Sequence, residues 1–399
     1  MKKNNLQKLF TGLLTVCITA FTTAYTACTY IPDSLLGDSS SSSNQSEASS
    51  DSAFSSEDST TEDIVTAELS IHFLQTGNAY TGDSTLIKVG NTEVLIDAGS
   101  RKNSAPTLKS YIDTYCTDGV LEYVIATHAH QDHIAGFLGN KSGSTRNGIF
   151  YTYEIETLIQ FARSDQPLKT EAGNDTLYAE YLAAVETLKT SGTTVYTALQ
   201  CWNETDGAKK TYYLDDEQKI SLNILYNYFY ENESYGGGDE NEYSVCTLLS
   251  QGNNHYLFTG DLEATGESLL VQYNDLPKCQ LFKAGHHGSY TATSNALLSV
   301  IQPEIVCVCC CAGSTEYAKD PAHTFPAQEF VDRVAAYTDK VYVTTVISED
   351  KKSGLAMNGN IVVSSNGGAV TVNCSNNNIL LKDTEWFAQN RTCPEQWET

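Results

Sequence analysis

The sequence predicts an α+β fold, in which strands form layers and a few helices cover them. Segments with the composition of strands follow one another in clusters, turn-forming residues separate them, and only a few helical segments interrupt them. Hydrophobic residues make up 41% of the 399 residues, which is enough for a sizeable core and excludes wholesale disorder. This pattern does not fit a doubly wound parallel sheet, where strands and helices alternate.

The individual elements follow from hydrophobic periodicity and turn residues. Pro106 suits the first turn of a helix at 104–116, and apolar residues recur at helical spacing over 175–191. A third helix is predicted at 326–337. The predicted strands span residues 69–76, 84–89, 93–97, 122–127, 194–199, 219–226, 244–250, 255–259, 279–283, 304–311, 340–346, 360–364 and 369–373.

The first 28 residues have the organisation of a secretory signal. Three lysines precede residues 9–27, which are apolar or small and carry no charge. The segment ends in Ala27-Cys28 and so resembles a bacterial lipoprotein signal, although Tyr25 stands where such signals usually carry Leu. We predict a signal peptide over residues 1–28 with lipidation of Cys28; simple cleavage and a retained anchor are the alternatives.

Residues 29–68 are predicted to form a disordered, solvated tether. They are rich in Ser, Thr, Asp and Glu, with nine acids and no Lys or Arg. Such a composition buries too little apolar area to offset the entropy lost on ordering. A lipid at Cys28 followed by a tether predicts an exported protein, either anchored to the outer face of the plasma membrane or secreted.

The acidity extends into the rest of the chain. The sequence holds 49 acids and 24 bases, a net charge of −25. Nine of the acids lie in the tether and three of the bases in the signal, which leaves 40 acids and 21 bases for residues 69–399. This balance argues against a stable nucleic-acid complex, since surfaces that follow a phosphate backbone are basic. Beyond position 30 no apolar run reaches about 18 residues, the length of a membrane-spanning helix.

Four cysteines lie together in the segment IVCVCCCAG, within the strand predicted at 304–311. Strand alternation turns the first, second and fourth of them to one face and Cys310 to the other. Metal-binding cysteines usually flank a turn, so we predict a buried strand that uses Cys as a small hydrophobe. Cys374 and Cys393 are candidates for a disulfide in an exported protein.

The strongest chemical signal is the segment THAHQDH, residues 127–133. Three imidazoles and one carboxylate, those of His128, His130, Asp132 and His133, lie within six residues. An apolar core offers no partners for so many polar groups, and an unpaired buried carboxylate is costly. Imidazole nitrogens and carboxylate oxygens are ligands for zinc and similar divalent ions, so the segment predicts a metal site. A plain polar loop is the alternative.

Further candidate ligands lie later in the chain. Two of the eight histidines, His286 and His287, stand together in GHHGS. Asp261 ends the segment FTGD after an apolar strand, where its carboxylate can bridge two metal ions. Asp97 ends VLID and can accept a hydrogen bond that orients a ligand histidine. An ordinary turn residue is the alternative for each of these aspartates.

The order of LIDAG, THAHQDH, FTGD and GHHGS resembles the metallo-β-lactamase superfamily. More narrowly, FLQTGNAYTGDSTLIK, FTGDLE and LFKAGHHGSYTATS resemble the hydrolase domain of the DNA-uptake competence protein ComEC. The resemblance covers residues 69–373 and implies a four-layer αββα sandwich with two divalent metal ions, zinc or alternatively manganese. Residues 374–399 lie beyond it as a C-terminal extension.

The resemblance also implies a role for each motif residue. His287 is preferred over His286 as a ligand because it directly precedes the glycine, which leaves His286 to face the substrate; the reverse assignment stays open. The implied ligands are His128 and His130 for one metal ion, Asp132, His133 and His287 for the second, and Asp261 as the bridge.

One ligand of the superfamily pattern is missing. The superfamily has another histidine before the bridging aspartate, whereas residues 134–254 contain none. Asn241 opens the segment NEYS in the comparable place, and this segment resembles an N-x-x-S element of the competence group. The first metal ion would then be weakly held or completed by water. We expect Asn241, Ser289 and His323 near the substrate, and His255 exposed in a turn.

The predicted activity is hydrolysis, with Asp132, Asp261 and His286 as catalytic residues. Two metal ions about 3.5–4 Å apart activate a water and clamp the attacking and leaving oxygens, so the nucleophile would be a metal-bound hydroxide. The first candidate is a phosphodiesterase for nucleic acid or a cell-envelope phosphodiester such as a phosphocholine decoration. Hydrolysis of a lactam, lactone or thioester is the second. A surface binding protein with a degenerate metal site is the third.

Overall fold

Two eight-stranded sheets dominate the structure. The computed structural model describes residues 67–234 and 239–398, so the predicted signal, Cys28 and nearly all of the tether lie outside the described residues. The elements of the first half are β1 (Leu69–Phe73), β2 (Thr85–Val89), β3 (Thr92–Ile96), α1 (Ala105–Ile112), β4 (Val120–Ala126), α2 (Gln131–Leu138), β5 (Lys141–Ser142), β6 (Thr145–Arg146), β7 (Glu154–Gln160), α3 (Leu177–Ser191) and β8 (Thr194–Thr197).

The second half continues with the strands of the other sheet and returns to the first sheet at its end. Its elements are α4 (Ala198–Asn203), β9 (Thr211–Tyr213), β10 (Ile220–Ile224), β11 (Thr247–Gln251), β12 (Asn254–Phe258), α5 (Ala264–Tyr273), β13 (Leu281–Lys283), α6 (Asn295–Ile301), β14 (Ile305–Ala312), α7 (Gln328–Val334), β15 (Val341–Ile347), β16 (Gly354–Ala356), β17 (Ile361–Ser365), β18 (Val370–Cys374) and α8 (Glu385–Asn390).

Both sheets join a parallel run of strands to antiparallel ones. The first sheet has the order β18-β17-β1-β2-β3-β4-β7-β8, and its strands are parallel from β3 to β8. The second has the order β16-β15-β14-β13-β12-β11-β10-β9, with parallel pairing from β12 to β15. The small β5-β6 hairpin stands apart. Parallel neighbours bring the carboxyl ends of their strands to one edge, which is where ligand sites form in such sheets.

The hydrophobic core lies between and around the sheets. Between them, Phe73 of β1 meets Phe258 of β12 with ring centroids 6.4 Å apart. Apolar residues of α1, α2 and α3 pack on the first sheet, and those of α5, α6 and α7 pack on the second. The order of layers is therefore helices, sheet, sheet, helices, and the predicted four-layer αββα fold is confirmed.

Most predicted strands are present within a few residues, whereas several helices were missed. Helix α2 was missed because its first turn consists of the polar metal motif, which has no amphipathic pattern. The strand predicted to begin at 244 begins at Thr247 instead, since Glu240–Tyr243 form a helical turn before it. In the described residues no helix is long and apolar enough to cross a membrane.

The cysteine-rich segment forms β14, and every residue of this strand is buried. Cys307 and Cys309 face the core between the sheets, and Cys310 faces the core beneath the helices. The prediction of a buried strand is confirmed. The predicted disulfide is wrong, because Cys374 and Cys393 are both free thiols on the described part of the chain.

The C-terminal extension packs against the second sheet and its helices. Phe387 of α8 and Trp397 are both buried in that core. The indole Nε1–H of Trp397 donates a hydrogen bond of 2.9 Å to the carbonyl of Thr338. The extension therefore stabilises the core beneath the helices.

Candidate metal centre

The motif residues all follow strands at the same edge of the sandwich. Asp97 comes directly after β3, and the segment 127–133 joins β4 to α2. Asp261 follows β12, and His286 and His287 follow β13. The carboxyl ends of two adjacent strands in each sheet thus meet across the space between the sheets.

Four of these side chains converge on one point. The Nε2 atom of His133 lies 3.0 Å from Oδ2 of Asp261. The Nε2 atom of His287 lies 3.2 Å from the same oxygen and 3.2 Å from Oδ2 of Asp132. All four side chains are buried. They are the set predicted for the second metal ion and the bridge; the structure brings them together, and their role as ligands stays a prediction.

The other two predicted ligands lie beside this group. Nε2 of His128 is 3.1 Å from Nδ1 of His130. The opposite nitrogen of His128, Nδ1, faces Oγ1 of Thr127 at 3.1 Å. The ring centroids of His128 and His133 are 4.1 Å apart. A second pair of nitrogen donors is therefore adjacent to the first group of four.

Hydrogen bonds from Nδ1 fix the orientation of the His133 and His287 rings. Oδ2 of Asp97 accepts a hydrogen bond of 2.7 Å from Nδ1 of His133, and Asp97 itself is held by the N–H and hydroxyl of Thr127. The carbonyl of Cys309 accepts a hydrogen bond of 2.8 Å from Nδ1 of His287. These bonds leave Nε2 of both histidines free to face the centre, as metal-binding histidines do. The hydrogen bond expected from a histidine to Asp97 is thus present.

Unusual backbone conformations shape this edge. His286 and His287 both adopt left-handed φ angles, 44° and 55°, which non-glycine residues seldom do and which cluster at functional sites. Gly99 lets the chain after Asp97 approach the start of α2, since a Cβ there would lie only 1.5 Å from the carbonyl oxygen of Asp132. The close approach places Asp97 behind His133.

The two adjacent histidines divide into different environments. His287 is buried in the group of four, while His286 keeps 19% of its side chain exposed. Nδ1 of His286 lies 3.0 Å from Oε1 of Glu263, and Nε2 lies 4.0 Å from Oδ2 of Asp261. This geometry favours His287 as the ligand and His286 as a group in the wall of the site.

Two buried residues beside the centre, Asp83 and Lys283, were not identified from the sequence. Both are buried, and Nζ of Lys283 forms an ion pair with the carboxylate of Asp83. Asp83 also approaches the donor atoms of His133, Asp261 and His287, so it competes with Asp132 for the place of a ligand. It lies on the Nδ1 side of His287, 3.3 Å away, and is already paired with Lys283. Asp132, on the Nε2 side, is therefore the better fit.

The electrostatics of the centre are those of a site prepared for a cation. Burial alone would lower the pKa of His133, but the carboxylates of Asp261 and Asp97 outweigh it and hold this pKa well above its usual value. His287 is shifted in the same direction, chiefly by Asp261 and Asp83 acting against burial. In turn, the histidines hold the pKa of Asp261 well below its usual value, against the effect of burial. Protons on these histidines neutralise the carboxylates, and a metal ion can take their place.

The residues fit a divalent metal ion. Oδ1 of Asp261 is buried and makes no regular hydrogen bond among the described residues, and Nε2 of His133 faces only the Asp261 carboxylate, 3.0 Å away. Leaving such a buried oxygen unpaired is costly, and a cation between these groups would satisfy it. The donors are imidazole nitrogens and carboxylate oxygens with no thiolate, a set that suits zinc and manganese. The buried Asp/His cluster is thus a divalent-metal centre by its chemistry.

A cavity of about 620 Å³ opens onto this centre. Tyr178 and Tyr317 supply aromatic walls. The guanidinium of Arg101 is ion-paired with Glu316 and lies over the ring of Tyr80 at 4.4 Å, so its charge is already neutralised. Five residues in or beside the metal centre also line the cavity: His130, Asp132, Asn241, Asp261 and His286.

One expectation for a single residue was wrong: His255 lies half-buried within β12 and is not exposed in a turn. Ser289 is buried, and its hydroxyl lies 2.9 Å from the Thr291 hydroxyl. His323 stacks on Tyr290 at a centroid distance of 4.4 Å. Neither Ser289 nor His323 lines the cavity, and their place near the substrate stays a prediction.

Comparison with known proteins supports the same class. Residues 77–139 match the metallo-beta-lactamase superfamily. This confirms the predicted resemblance over the segment that carries Asp83, Asp97 and the THAHQDH motif. Together with the fold and the buried Asp/His cluster, this match supports a metal-dependent hydrolase similar to that superfamily.

Two curated relatives are more specific. Recombination protein 2 of Haemophilus influenzae is 38% identical over 69 residues, 17% of this chain and 8% of that protein. Competence protein ComA of Neisseria gonorrhoeae is 32% identical over 122 residues, 30% of this chain and 16% of that protein. The chain thus spans less than a fifth of the length of either relative.

The similar solved structures are distant. The metallo-beta-lactamase fold protein YhfI of Bacillus subtilis aligns over 72% of this chain and 98% of its own, with 10% identity and a TM-score of 0.37. MEM-A1, a subclass B3 metallo-beta-lactamase from a soil metagenome library, aligns over 54% of this chain and 79% of its own, with 12% identity and a TM-score of 0.31. At such low scores the assignment of the fold rests on the strand order described above.

Proposed function

We propose that this chain is a bimetal phosphodiesterase. The observation that carries the proposal is the position of Asp261, whose Oδ2 lies 3.0 Å from Nε2 of His133 and 3.2 Å from Nε2 of His287. His128 and His130 stand immediately beside this group. A carboxylate between two neighbouring sets of donors is the arrangement that bridges a pair of metal ions in phosphodiester-cleaving sites.

The chain's own residues supply the rest of the chemistry. Divalent ions held by these residues would supply Lewis acidity and an activated water. Asp132 lines the cavity, so its carboxylate can orient the attacking water and take its proton. His286 faces the same cavity and is fixed through Nδ1 by Glu263, so its Nε2–H can donate a proton to the leaving oxygen as the P–O bond breaks. Asp97 holds His133 in place throughout.

The charges around the cavity favour a short substrate. Arg101 is neutralised by Glu316, and the remaining walls are aromatic or polar. Residues 69–399 carry 40 acids and 21 bases, which repels a long polyanion. The names of the two relatives refer to recombination and competence, and these favour nucleic acid. A short nucleic-acid end or a single cell-envelope phosphodiester satisfies both considerations.

The location belongs to the same proposal. The lysine-led apolar segment, Cys28 and the acidic tether support export and attachment of a lipid to Cys28. The enzyme would then act at the outer face of the plasma membrane, or as a secreted protein, on substrates that reach this surface.

Hydrolysis of bis(p-nitrophenyl) phosphate by the full-length protein tests the proposal. The protein is stripped with a chelator, reloaded with zinc or manganese, and assayed beside His130→Ala and Asp261→Asn. The matched controls are His323→Ala and Asp216→Asn, which change the same residue types outside the cavity. We expect metal-dependent turnover that falls by at least about 100-fold in the two site variants, as for removal of a catalytic group, and stays unchanged in the controls.

The other outcomes identify the alternatives. Turnover of a chromogenic cephalosporin without turnover of the phosphodiester would replace the proposal by carbonyl hydrolysis. Less than about one metal ion per chain, where a bimetal site needs two, together with no turnover of either substrate, would favour a surface binding protein with a degenerate metal site.

A further inference from the structure

Asn241 stands where the superfamily pattern leaves a gap. The sequence between residues 134 and 254 contains no histidine, so His128 and His130 lack the third protein ligand that a first metal ion needs. The helical turn Glu240–Tyr243 fills the corresponding place in the structure, and Asn241 lines the cavity together with His130 and Asp261.

The segment around Asn241 is bonded to the predicted first metal site at several points. The N–H of Ala129, between the two histidines, donates a hydrogen bond of 3.1 Å to Oε1 of Glu240. The N–H of Val245 donates a hydrogen bond of 2.9 Å to the carbonyl of Thr127. The hydroxyl of Ser244 lies 3.4 Å from Nδ1 of His128 and accepts a hydrogen bond of 3.1 Å from the N–H of Asp261. The turn is therefore held against the residues that would bind this ion.

The orientation of the Asn241 amide is decided by Glu263. The Nδ2 group of Asn241 lies 3.3 Å from Oε1 of Glu263. An ionised carboxylate only accepts hydrogen bonds, so the amide nitrogen has to face Glu263, and Oδ1 has to face the other way. The assignment of the amide oxygen and nitrogen, which is often ambiguous, is decided here by the acceptor Glu263.

The oxygen that remains makes no regular hydrogen bond. Asn241 is 7% exposed, and its Oδ1 lacks a well-aligned donor within the described residues. The side chain interacts with the ring of His130, which is itself a predicted ligand. A buried amide oxygen without a well-aligned donor is costly, and a cation shared with His130 would satisfy it.

We infer that Oδ1 of Asn241 is the third protein ligand of the first metal ion, together with His128, His130 and the bridging Asp261. This inference rests on the bimetal centre of the proposed function and assigns its missing ligand. An amide oxygen is a harder donor than an imidazole nitrogen. The first site therefore binds its ion more weakly than the second, and accepts manganese more readily relative to zinc than a three-histidine site does.

Calorimetric titration of the metal-free, full-length protein with Mn²⁺ and separately with Zn²⁺ tests the inference. The variants are Asn241→Ala and Asn241→His, and Asn140→Ala is the matched control because Asn140 is exposed and lies outside the cavity. In the wild type we expect two binding events of different affinity. Asn241→Ala weakens the weaker event by about tenfold or more, the scale of a lost ligand-shell contact, and leaves the tighter one within about twofold. Asn241→His strengthens zinc at the weaker site and shifts its preference away from manganese.

The electron paramagnetic resonance spectrum of Mn²⁺ supplies a second readout that does not depend on turnover. The spin-coupled signal of an adjacent Mn²⁺ pair is expected in the wild type and in Asn140→Ala, and its replacement by an isolated-ion signal is expected in Asn241→Ala. Unchanged affinities in Asn241→Ala would overturn the inference, as would an equal weakening of both events. Two events in the wild type without phosphodiester turnover would instead overturn the proposed substrate and leave the ligand assignment in place.

Discussion

The ammonium group of Lys283 is buried in an ion pair with the carboxylate of Asp83, directly behind the metal centre. The same Nζ lies 3.9 Å from Oδ1 of Asp261. Asp83 in turn lies 3.3 Å from Nδ1 of His287. Lys283 therefore neutralises two carboxylates of a centre that gathers several of them, and it ties β13 to the loop before β2.

Removal of this lysine is expected to destabilise the protein. In Lys283→Met the buried carboxylate of Asp83 loses the ammonium group with which it is paired and keeps only the His287 ring nearby. Breaking a buried pair in this way costs about 3–5 kcal/mol. Urea unfolding of the metal-free protein measures the loss of unfolding free energy. The exposed Lys278→Ala is the control and is expected to stay within about 0.5 kcal/mol of the wild type. A loss below about 1 kcal/mol in Lys283→Met would contradict a structural role for the pair.

Loss of the carboxylate behind His133 should weaken metal binding without unfolding the chain. In Asp97→Asn the amide can still accept the hydrogen bond from Nδ1 but carries no charge, so the ring is a poorer donor. Removal of the hydrogen-bond partner of a metal-binding histidine typically weakens metal affinity by about 10–100-fold. Competition titration with a chromophoric chelator measures the zinc affinity, with the exposed Asp216→Asn as the control. Equal affinities in the wild type and Asp97→Asn would show that the hydrogen bond does not tune the ligand.

Metal affinity should fall as the pH falls. The carboxylates around His133 and His287 hold the pKa of both rings well above the usual value. Both rings therefore carry an additional proton in the metal-free protein near neutral pH. A metal ion has to displace these protons, which means that binding strengthens as the pH rises towards the raised pKa values and weakens below them. We expect the metal affinity to fall by about tenfold per unit decrease in pH for each proton released on binding.

Calorimetry in buffers of different ionisation enthalpy counts those protons directly. About two protons per ion at the second site are expected, one from each histidine. In His287→Ala the count should fall by one. Binding without proton release at neutral pH would mean that the histidines are neutral in the metal-free protein, contrary to the pKa shifts described above.

The cysteines of the described residues should divide into two classes by reactivity. Cys374 and Cys393 are partly exposed free thiols, whereas the other eight are buried. Burial raises the pKa of Cys374 to about 11 and that of Cys279 to about 12, so access of the reagent separates the two classes more than the pKa does. Iodoacetamide under native conditions should therefore modify Cys374 and Cys393 and none of the eight buried cysteines until the protein is unfolded. Peptide mass spectrometry reads the sites of modification. A disulfide between Cys374 and Cys393 in the native digest would contradict the structure.

Local patterns in the sequence determined much of this protein. The fold class followed from the spacing of apolar residues, because alternation along a strand and recurrence along a helix are properties of the chain itself. The composition of THAHQDH pointed to a metal because so many imidazole and carboxylate groups have no other way to be satisfied in a buried segment. The buried environment of β14 followed from its unbroken run of apolar residues and cysteines.

The tertiary structure decided which atom of each residue faces the centre. His286 and His287 are neighbours in sequence, yet only the second turns its Nε2 to Asp132 and Asp261, because Cys309 on another strand holds its Nδ1. Asp83 was not identified from its sequence neighbours, and the segment NEYS placed Asn241 near the substrate without fixing which atom of its amide faces the centre. The positions of their side chains depend on Lys283, which pairs with Asp83, and on Glu263, which accepts a hydrogen bond from Asn241. Neither partner is a sequence neighbour, so the direction of these side chains is decided only in the folded chain.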